Sequence, residues 1–560
     1  MTEENTVEGA GSRGVSRRTI MKGAAWTVPA LMVATSAPAY ALSCVQGKWN
    51  AIGRGKMLSG GLFNVDLDTL ASVNGTIASA PTKVLETGFI HGPNSEGDPD
   101  VHANPLSVTA LGLINVNATG LTTTVSTLLG LVASAPDGTG LLNQFGYALS
   151  SGLSKGASGY VDDNGTVRVA PAGGYPDVAA LNLRQFLTPL LGGSLTGALS
   201  TITDLTLHVG AMVGRAVLEQ MCNTVVNPDG YKLHREYLVA YLRLVLTSPV
   251  LGNVVTAVTG LVPNLVVDTN AVWALLNAVP ALKPLVTALQ GIVPLTIQVT
   301  ANAGTLANDL TSAPVPDGPN QPISVNLGTG TATIDVASLL GSAFPGGASS
   351  MANSLPANSI LFVDYPLPTT ALSQFIADLQ STIISRIQND VSVKIDASLV
   401  VAGLEVTGVH ISGTLAQLLN GTATAAFKLA GVTLNLGAAL APLLISIGNL
   451  VKGTIFAAGG AVQLALTAVN DLLAAVFDAL KTVLNITLNV QNLPEKNNDP
   501  TAAYKHTPGP ARWNSGAQAL PAGRYDVAAL GLSAAQILAA PDVLDLFLAR
   551  GSVGPHTPKP

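Results

Sequence analysis

The chain has little charge, few aromatic side chains and only two cysteines. Asp, Glu, Lys and Arg make up 11% of its 560 residues, whereas hydrophobic residues make up 48%. Disordered chains combine low hydrophobicity with high charge, so this composition predicts ordered structure with large apolar cores. The formal net charge is -6; the first 41 residues carry +1, which leaves the remainder near -7. No basic run follows residue 41, so nucleic acid is excluded as a partner.

The sequence also lacks the motifs of common catalytic and cofactor sites. We find no phosphate loop, no dinucleotide fingerprint and no paired Cys–His set, and we predict no cofactor. The segment Gly152-Leu-Ser-Lys-Gly156 fits the nucleophile-elbow pattern. That elbow requires a strand, a turn and then a helix, whereas the residues that follow are typical of a strand and hairpin. We interpret the match as accidental.

The densest group of potential metal ligands lies in one short segment. It contains His91, Asp98, Asp100 and His102, with prolines that break any helix able to align the two imidazoles. The spacing matches no metal motif, so we interpret the segment as a solvated surface loop and predict no metal site.

The amino-terminal residues have the order of an export signal. Ser16-Arg17-Arg18-Thr-Ile-Met-Lys22 precedes a moderately apolar stretch, and Ala39-Tyr-Ala41 places small residues at the two positions that a signal peptidase recognises. A twin arginine in this context directs folded proteins across the membrane. We predict a twin-arginine signal over residues 1–41, with Arg17 and Arg18 as its signature, Ala39 and Ala41 at the cleavage site, and a secreted protein that begins near Leu42.

The two cysteines, Cys44 and Cys222, both follow the predicted cleavage site. In an oxidising exterior an even pair is typical of one disulfide. Two alternatives stay open at this point: a lipidated Cys44, because Leu42-Ser43-Cys44 loosely resembles a lipoprotein cleavage box, and free thiols.

Two charge-free stretches, residues 244–267 and 429–451, are long enough to cross a membrane. Both contain asparagine and proline, which suit segments buried in protein better than segments in lipid. A chain that folds before export should also not display a lipid-facing belt. We therefore predict no transmembrane span after the signal.

The alternation of extended and helical patterns predicts an α+β fold, in which mixed or antiparallel sheets pack with apolar helices. Strand patterns recur at residues 205–209, 295–300, 391–395, 399–411 and 486–490. Residues 183–282 are predicted to be largely helical. There the apolar residues Leu233, Tyr237, Ala240, Tyr241, Leu244 and Val245 recur at spacings of three and four.

One internal repeat stands out. Pro171-Ala-Gly-Gly-Tyr-Pro-Asp177-Val-Ala-Ala-Leu-Asn-Leu183 matches Pro521-Ala-Gly-Arg-Tyr-Asp526-Val-Ala-Ala-Leu-Gly-Leu532, with weaker echoes around Asp66 and Asp335. One hypothesis is a structural unit in which an extended run ends and the aspartate caps the next helix. The other is a binding motif in which each aspartate contacts a ligand.

Composition also predicts boundaries along the chain. Residues 312–322 contain four prolines, and residues 491–510 are the most polar segment after the signal. We predict an α+β region over 42–312, a second over 323–490, a polar linker over 491–510, and a short carboxy-terminal element over 511–560.

Several phrases resemble the choice-of-anchor G proteins, which are surface proteins of Gram-positive actinobacteria. They are Arg54-Gly-Lys-Met-Leu-Ser-Gly60, Val65-Asp-Leu-Asp-Thr-Leu-Ala-Ser-Val-Asn-Gly75, Asn104-Pro-Leu-Ser-Val-Thr-Ala-Leu111 and the glycine-rich run over 140–165. The resemblance implies attachment to the cell envelope and no established activity. This chain lacks the Leu-Pro-x-Thr-Gly motif of sortase-anchored members.

We therefore expect an exported, non-enzymatic envelope or surface protein with a structural or adhesive role, whose partner is an envelope component. One alternative is a carrier of a lipid or other apolar ligand between helices and sheet. The other is an extracellular hydrolase with its acid and base scattered in sequence. The oligomeric state is left open.

Overall fold

The computed structural model describes most of the chain after residue 43. The described residues are 44, 47–63, 65–70, 75–81, 84–86, 89–91, 93, 97–134, 140–168, 174–222, 230–317, 321–341, 343–344, 347, 354–457, 459–492, 523–534 and 544–559. Predictions that concern Arg17, Arg18, Ala39, Ala41 and most of the 491–510 linker lie outside these residues.

The strands within the described residues are, in chain order, β1 Trp49–Leu62, β2 Val65–Asp66, β3 Thr76–Ala80, β4 Val84–Glu86, β5 Phe89–His91, β6 Asp100–Ala103, β7 Asn115–Ala118, β8 Leu121–Thr124, β9 Asn143–Leu149, β10 Leu153–Gly159, β11 Asp177–Asn182, β12 Asp204–Gly210, β13 Met212–Gln220, β14 Tyr231–Val239, β15 Leu242–Thr247, β16 Thr296–Thr300, β17 Ile323–Asn326, β18 Thr331–Asp335, β19 Ser359–Ile360, β20 Ser392–Val401, β21 Leu404–Thr414, β22 Thr424–Leu429, β23 Val432–Leu434, β24 Leu484–Gln491, β25 Tyr525–Ala534, β26 Leu544–Val553 and β27 Thr557–Pro558.

The α-helices of the same residues are α1 Val108–Leu111, α2 Val125–Leu129, α3 Leu183–Leu190, α4 Pro249–Leu261, α5 Thr269–Ala278, α6 Lys283–Leu289, α7 Ala303–Thr311, α8 Val336–Leu340, α9 Ala371–Ile387, α10 Leu415–Leu419, α11 Leu440–Ile455 and α12 Ala461–Thr482. Short 3-10 turns cover Gly197–Thr201, Val262–Asn264, Pro280–Leu282 and Gly437–Ala439.

These elements confirm the α+β class, and the sheet pairings are antiparallel. Sheet A has the order β19-β24-β25-β26-β1-β2, with β3 and β27 also paired to β1. Sheet B is β14-β13-β10-β9-β6, sheet C is β11-β12-β15-β18-β17, and sheet D is β16-β20-β21-β22-β23. Two small hairpins, β4-β5 and β7-β8, complete the described strands.

Sheets A and B pack face to face with backbone against backbone. A Cβ atom added to Gly156 of β10 would lie 2.1 Å from the Arg54 carbonyl oxygen and 2.3 Å from that of Ser552, and one added to Gly214 of β13 would lie 2.0 Å from the Ala549 oxygen. Facing sheets are ordinarily held about 10 Å apart by side chains. At these positions there is no room for a side chain, so the close packing of the two sheets requires glycine at residues 156 and 214.

Helices cover the inner sides of sheets C and D. Helix α4 packs against α7 and α12, and α9 packs against both of those helices. Helix α6 lies on β20, β21 and β22 and buries Leu285, Val286 and Leu289 there. One face of sheet D is therefore buried, and its other face is open to solvent.

The prediction that residues 183–282 are largely helical is wrong between residues 204 and 247, where β12 to β15 lie, and the helix predicted across residues 233–245 is therefore absent. The chain forms β14 and β15 there, and β15 alternates buried Leu242, Leu244 and Leu246 with more exposed residues. The apolar residues of this segment fit the period of two of a strand as well as the helical spacings of three and four. Pairing of β14 with β13 and of β15 with β12 and β18 supplies the partners that favour strands. The strands predicted at 205–209, 295–300, 391–395, 399–411 and 486–490 coincide with β12, β16, β20, β21 and β24.

Sheet A draws strands from all three predicted regions. Its β1 comes from the first region, β24 from the second, and β25 and β26 from the carboxy-terminal element. At the proline-rich boundary, the Arg386 guanidinium of α9 donates to the carbonyl oxygens of Ala313 (2.7 Å) and Pro314 (3.0 Å). The residue boundaries themselves stay a prediction.

Among the described residues, two helices are long and apolar enough to cross a membrane, by length and composition alone. They are Gly437–Ile455 and Ala461–Thr482, with 33% and 39% of their most apolar windows buried in the protein. The bent pair Pro249–Asn264 and Thr269–Ala278 passes the same test if counted as one span. The absence of a transmembrane span therefore stays a prediction.

Candidate functional site

The two cysteines form a disulfide, Cys44–Cys222, across a Cα–Cα distance of 5.0 Å. Cys44 precedes β1 of sheet A, and Cys222 lies two residues beyond the end of β13 in sheet B. The bond therefore joins the two sheets that pack through glycine. Of the three interpretations left open by the sequence, the disulfide is the one that the structure contains.

The four repeat aspartates occupy different environments. Asp335 caps α8, because its carboxylate accepts from the Ser338 backbone N–H at 2.7 Å. The capping hypothesis is wrong for the other three. Asp66 accepts from the Asp68 backbone N–H within a turn, Asp177 begins β11 and accepts from the Tyr241 hydroxyl, and Asp526 lies within β25. The Val-Ala-Ala-Leu residues after Asp177 and Asp526 continue these strands, because small side chains suit closely packed sheets.

A strand–cap–helix unit does recur within the described residues, but Asp335 is the one predicted aspartate among its members. In four places the last residue of a strand accepts from the backbone N–H three residues later and starts a short helix with a buried apolar first residue. The acceptor–donor pairs are Thr124–Thr127 (3.4 Å), Asn182–Gln185 (3.0 Å), Asp335–Ser338 (2.7 Å) and Thr414–Gln417 (3.2 Å). Because the capping residue is threonine, asparagine or aspartate, the position of an aspartate does not identify this unit in the sequence.

Asp526 is the centre of a buried ion cluster. Its side chain is fully buried and accepts from Arg550 Nε at 2.5 Å, from Ser552 Oγ at 2.7 Å and from Arg524 Nε at 3.1 Å. Burial acts to raise the pKa of this carboxyl, but Arg524 and Arg550 outweigh it and lower the pKa to about 2. The cluster joins β25 to β26 and leaves no oxygen for a ligand, so we interpret its role as structural.

Ser154 of the Gly152–Gly156 segment lies within β10, which confirms that no nucleophile elbow is present. Its Oγ lies 2.7 Å from Nε2 of His556, and the Gln220 amide lies 3.3 Å from Nδ1 of that ring. Burial lowers the pKa of this imidazole to about 3, well below that of a general base poised near neutral pH. Ser154 is also fully buried between the sheets.

The segment that holds His91, Asp98, Asp100 and His102 is only partly the solvated surface loop that the sequence predicts, because His91 ends β5 and Asp100 and His102 lie in β6. Asp100 is buried and accepts from the Ser79 backbone N–H at 2.8 Å, and it contacts His102 Nε2 at 2.8 Å. Asp98 is exposed. The described part of the chain contains no group of three or more His, Cys, Asp or Glu side chains able to hold a metal ion.

The most distinctive surface is the outer face of sheet D, for which sequence analysis predicted only the strand patterns at residues 295–300, 391–395 and 399–411. Register places its polar side chains in three cross-strand rows. The rows are Thr300–Ser392–Thr414, Gln298–Lys394–Ser412–Thr424 and Thr296–Asp396–His410–Ala426. We call these residues the polar lattice. Most of its members are exposed hydroxyl or amide side chains.

His410 lies between two carboxylates on this face. Its Nδ1 is 2.8 Å from Asp396 and its Nε2 is 2.8 Å from Glu405. These two hydrogen bonds raise the pKa of the imidazole above its usual value, against a smaller opposing effect of burial. Lys394 pairs with the second oxygen of Asp396 at 2.9 Å. The four side chains are thus held together by ion pairs and hydrogen bonds among themselves.

Two backbone features bring Glu405 to this cluster. The register of β20 and β21 shifts between Leu399 and Val400, so that Val406 is an extra residue and Glu405 lies on the same face as His410. Gly408 leaves the room for the carboxylate, because a Cβ there would lie 1.8 Å from the Glu405 oxygen. Sequence alone gave no sign of this bulge, since regular alternation would place residues 405 and 410 on opposite faces.

A cavity opens at the end of the polar lattice remote from the hairpin turn at Ala402 and Gly403. Its volume is about 370 Å³ and it is partly open to solvent. Hydroxyl, amide and ammonium groups line it, together with backbone of β20 and β21. The polar lining residues are Gln298, Thr300, Ser392, Lys394, Ser412, Thr414 and Gln417. The arrangement offers hydrogen-bond donors and acceptors, with no nucleophile–base pair among the lining residues.

The chain matches one family model, described as a domain of unknown function (DUF8394), over residues 53–554. Because this match covers most of the chain, the protein belongs to that family. No curated protein and no solved structure matches the chain.

Proposed function

We propose that this DUF8394 protein is an exported cell-envelope or surface protein with a structural or binding role and no enzymatic activity. The outer face of sheet D is its binding surface. The observation that carries the proposal is that one whole sheet face is uncovered and lined by hydroxyl and amide groups in register, with a cavity at one end.

The proposal of export rests on the twin arginine at Arg17 and Arg18, the small residues Ala39 and Ala41, and the disulfide. A disulfide persists in oxidising exteriors and is rare in the cytosol, so Cys44–Cys222 favours a location outside the cell. The resemblance to choice-of-anchor G proteins supports the same compartment.

Two experiments test the proposal. In fractions of the native host, the full-length protein should be found with the envelope or medium, and the Arg17→Lys/Arg18→Lys variant should accumulate in the cytosol while an Arg13→Lys control does not. Purified disulfide-bonded protein should co-sediment with isolated envelopes. Full-length wild-type protein in the cytosol, or no binding to envelopes, would contradict the proposal.

The apolar carrier and hydrolase alternatives stay predictions. Native mass spectrometry of the purified protein tests the first, because a carrier should retain a lipid-sized mass. Activity with ester, peptide and glycoside substrates that survives Ser154→Ala would point to a hydrolytic site elsewhere in the chain.

A further inference from the structure

The cavity on sheet D contains polar groups that the protein itself leaves unused. Within the described residues, the side chains of Gln298, Thr300, Ser392 and Ser412 make no hydrogen bond, although all are exposed on one face. By contrast, the exposed hydroxyl of Thr467 on α12 donates to the Gln463 carbonyl oxygen at 2.9 Å. The cavity therefore presents a set of free donors and acceptors.

The charge of the cavity is nearly balanced. Lys394 is the one cation among the lining residues, and its ammonium contacts Asp396 at 2.9 Å. An anionic ligand such as a phosphate would require a net positive site, and a metal ion would require carboxylates that point into the cavity.

Hydroxyl and amide groups each both donate and accept hydrogen bonds, which is the property that matches the hydroxyl groups of a sugar. A volume of about 370 Å³ lies at the small end of ligand pockets, the range suited to one or two sugar rings. The row Gln298–Lys394–Ser412–Thr424 leads out of the cavity across four strands spaced about 4.8 Å apart, so a longer chain could continue along it.

We propose that this cavity and the adjoining polar lattice bind a neutral polysaccharide of the cell envelope. The inference rests on the proposed function, since it names the envelope component that the open face of sheet D recognises. Binding uses neutral hydrogen bonds and is therefore insensitive to salt, unlike the attachment of a basic surface to an anionic polymer.

The test is co-sedimentation of the disulfide-bonded protein with insoluble wall polysaccharide freed of protein, lipid and phosphate. The Gln298→Ala/Ser412→Ala variant should bind roughly tenfold more weakly or worse, the loss expected for two neutral hydrogen bonds. Ser392→Tyr, which fills the cavity with a residue that favours strands, should also lose binding. Thr467→Ala removes an exposed hydroxyl on α12 and should bind as the wild type does.

Each outcome has a distinct meaning. Equal binding by the wild type and by both cavity variants would overturn the inference while leaving envelope binding intact. Binding to whole envelopes but not to the stripped polysaccharide, or binding abolished by molar salt, would also overturn it. Failure to bind whole envelopes would overturn the proposed function itself. Circular dichroism that matches the wild type excludes unfolding as the cause of a loss.

Discussion

Substitution of Gly156 by alanine should destabilise the protein severely, although the change adds a single methyl group. The new Cβ would lie 2.1 Å from the Arg54 carbonyl oxygen and 2.3 Å from that of Ser552, both in the backbone of sheet A. A carbon and an oxygen not bonded to each other need more than 3 Å, so the two sheets would have to separate by about 1 Å. Inserting a methylene into a close-packed core costs about 1–3 kcal/mol, and here no flexible side chain can yield. We expect a loss of about 3 kcal/mol or more.

The matched control is Gly140→Ala. A Cβ at that position has no atom within 4 Å, and its backbone conformation is one that alanine adopts. Its free energy of unfolding should stay within about 0.5 kcal/mol of the wild type. Urea unfolding of both variants with the disulfide intact, followed by circular dichroism, measures the difference. If Gly156→Ala unfolds at the wild-type urea midpoint, sheets A and B do not pack backbone against backbone.

The remaining predictions concern ionisable groups and the disulfide. The lowered pKa of Asp526 stabilises the fold above about pH 4, and this contribution of about 2.5 kcal/mol is lost as the pH falls toward 2. Asp526→Asn should therefore weaken the acid dependence of stability, and it should cost about 3–5 kcal/mol at neutral pH because it removes the buried carboxylate that accepts from Arg524, Arg550 and Ser552. NMR titration of His410 should give a pKa above its usual value, and Glu405→Gln should lower that pKa. Because the pKa is raised in the folded protein, the stabilising effect of protonated His410 is complete below about pH 6 and is lost as the pH rises through the raised pKa. An unchanged pKa in the Glu405→Gln variant would contradict the contact between His410 and Glu405. Cys44→Ser opens a loop of 178 residues and should reduce the free energy of unfolding by about 4–5 kcal/mol on the chain-entropy account, measured by urea unfolding against the oxidised wild type.

Sequence patterns predicted the fold class and several strands because the alternation of polar and apolar residues is visible within each strand and does not depend on its partners. β16 and β20 alternate polar and apolar residues, and the structure packs β20 against α6 and β16 against the 3-10 turn Val262–Asn264. Patterns failed where two periods coexist, as in β14 and β15, where the apolar residues fit a helix as well as a strand. In such segments the pairing with strands distant in sequence determines the structure, and a local sequence pattern does not indicate that pairing.

The candidate site could be predicted only in part. Alternation indicates that Gln298 and Ser412 lie on uncovered sheet faces, but their place in one row depends on the register of β20 with β21 and on that of β20 with β16, a segment more than 90 residues away. The contact between Glu405 and His410 depends on one extra residue in β21 and on the missing side chain of Gly408. Neither effect is visible as a periodic pattern in the sequence. The disulfide could be predicted because two cysteines leave a single possible pairing.

The most direct measurement is made in the living host. A photo-crosslinking amino acid is placed at Ser412 on the outer face of sheet D and, in a separate strain, at Thr467 on α12. The account predicts that illumination links the first variant to envelope polysaccharide, seen as material that shifts back to the free protein after glycosidase digestion, and that the second variant gives no such product. Equal labelling of both variants, or of neither, would contradict a binding role for this face.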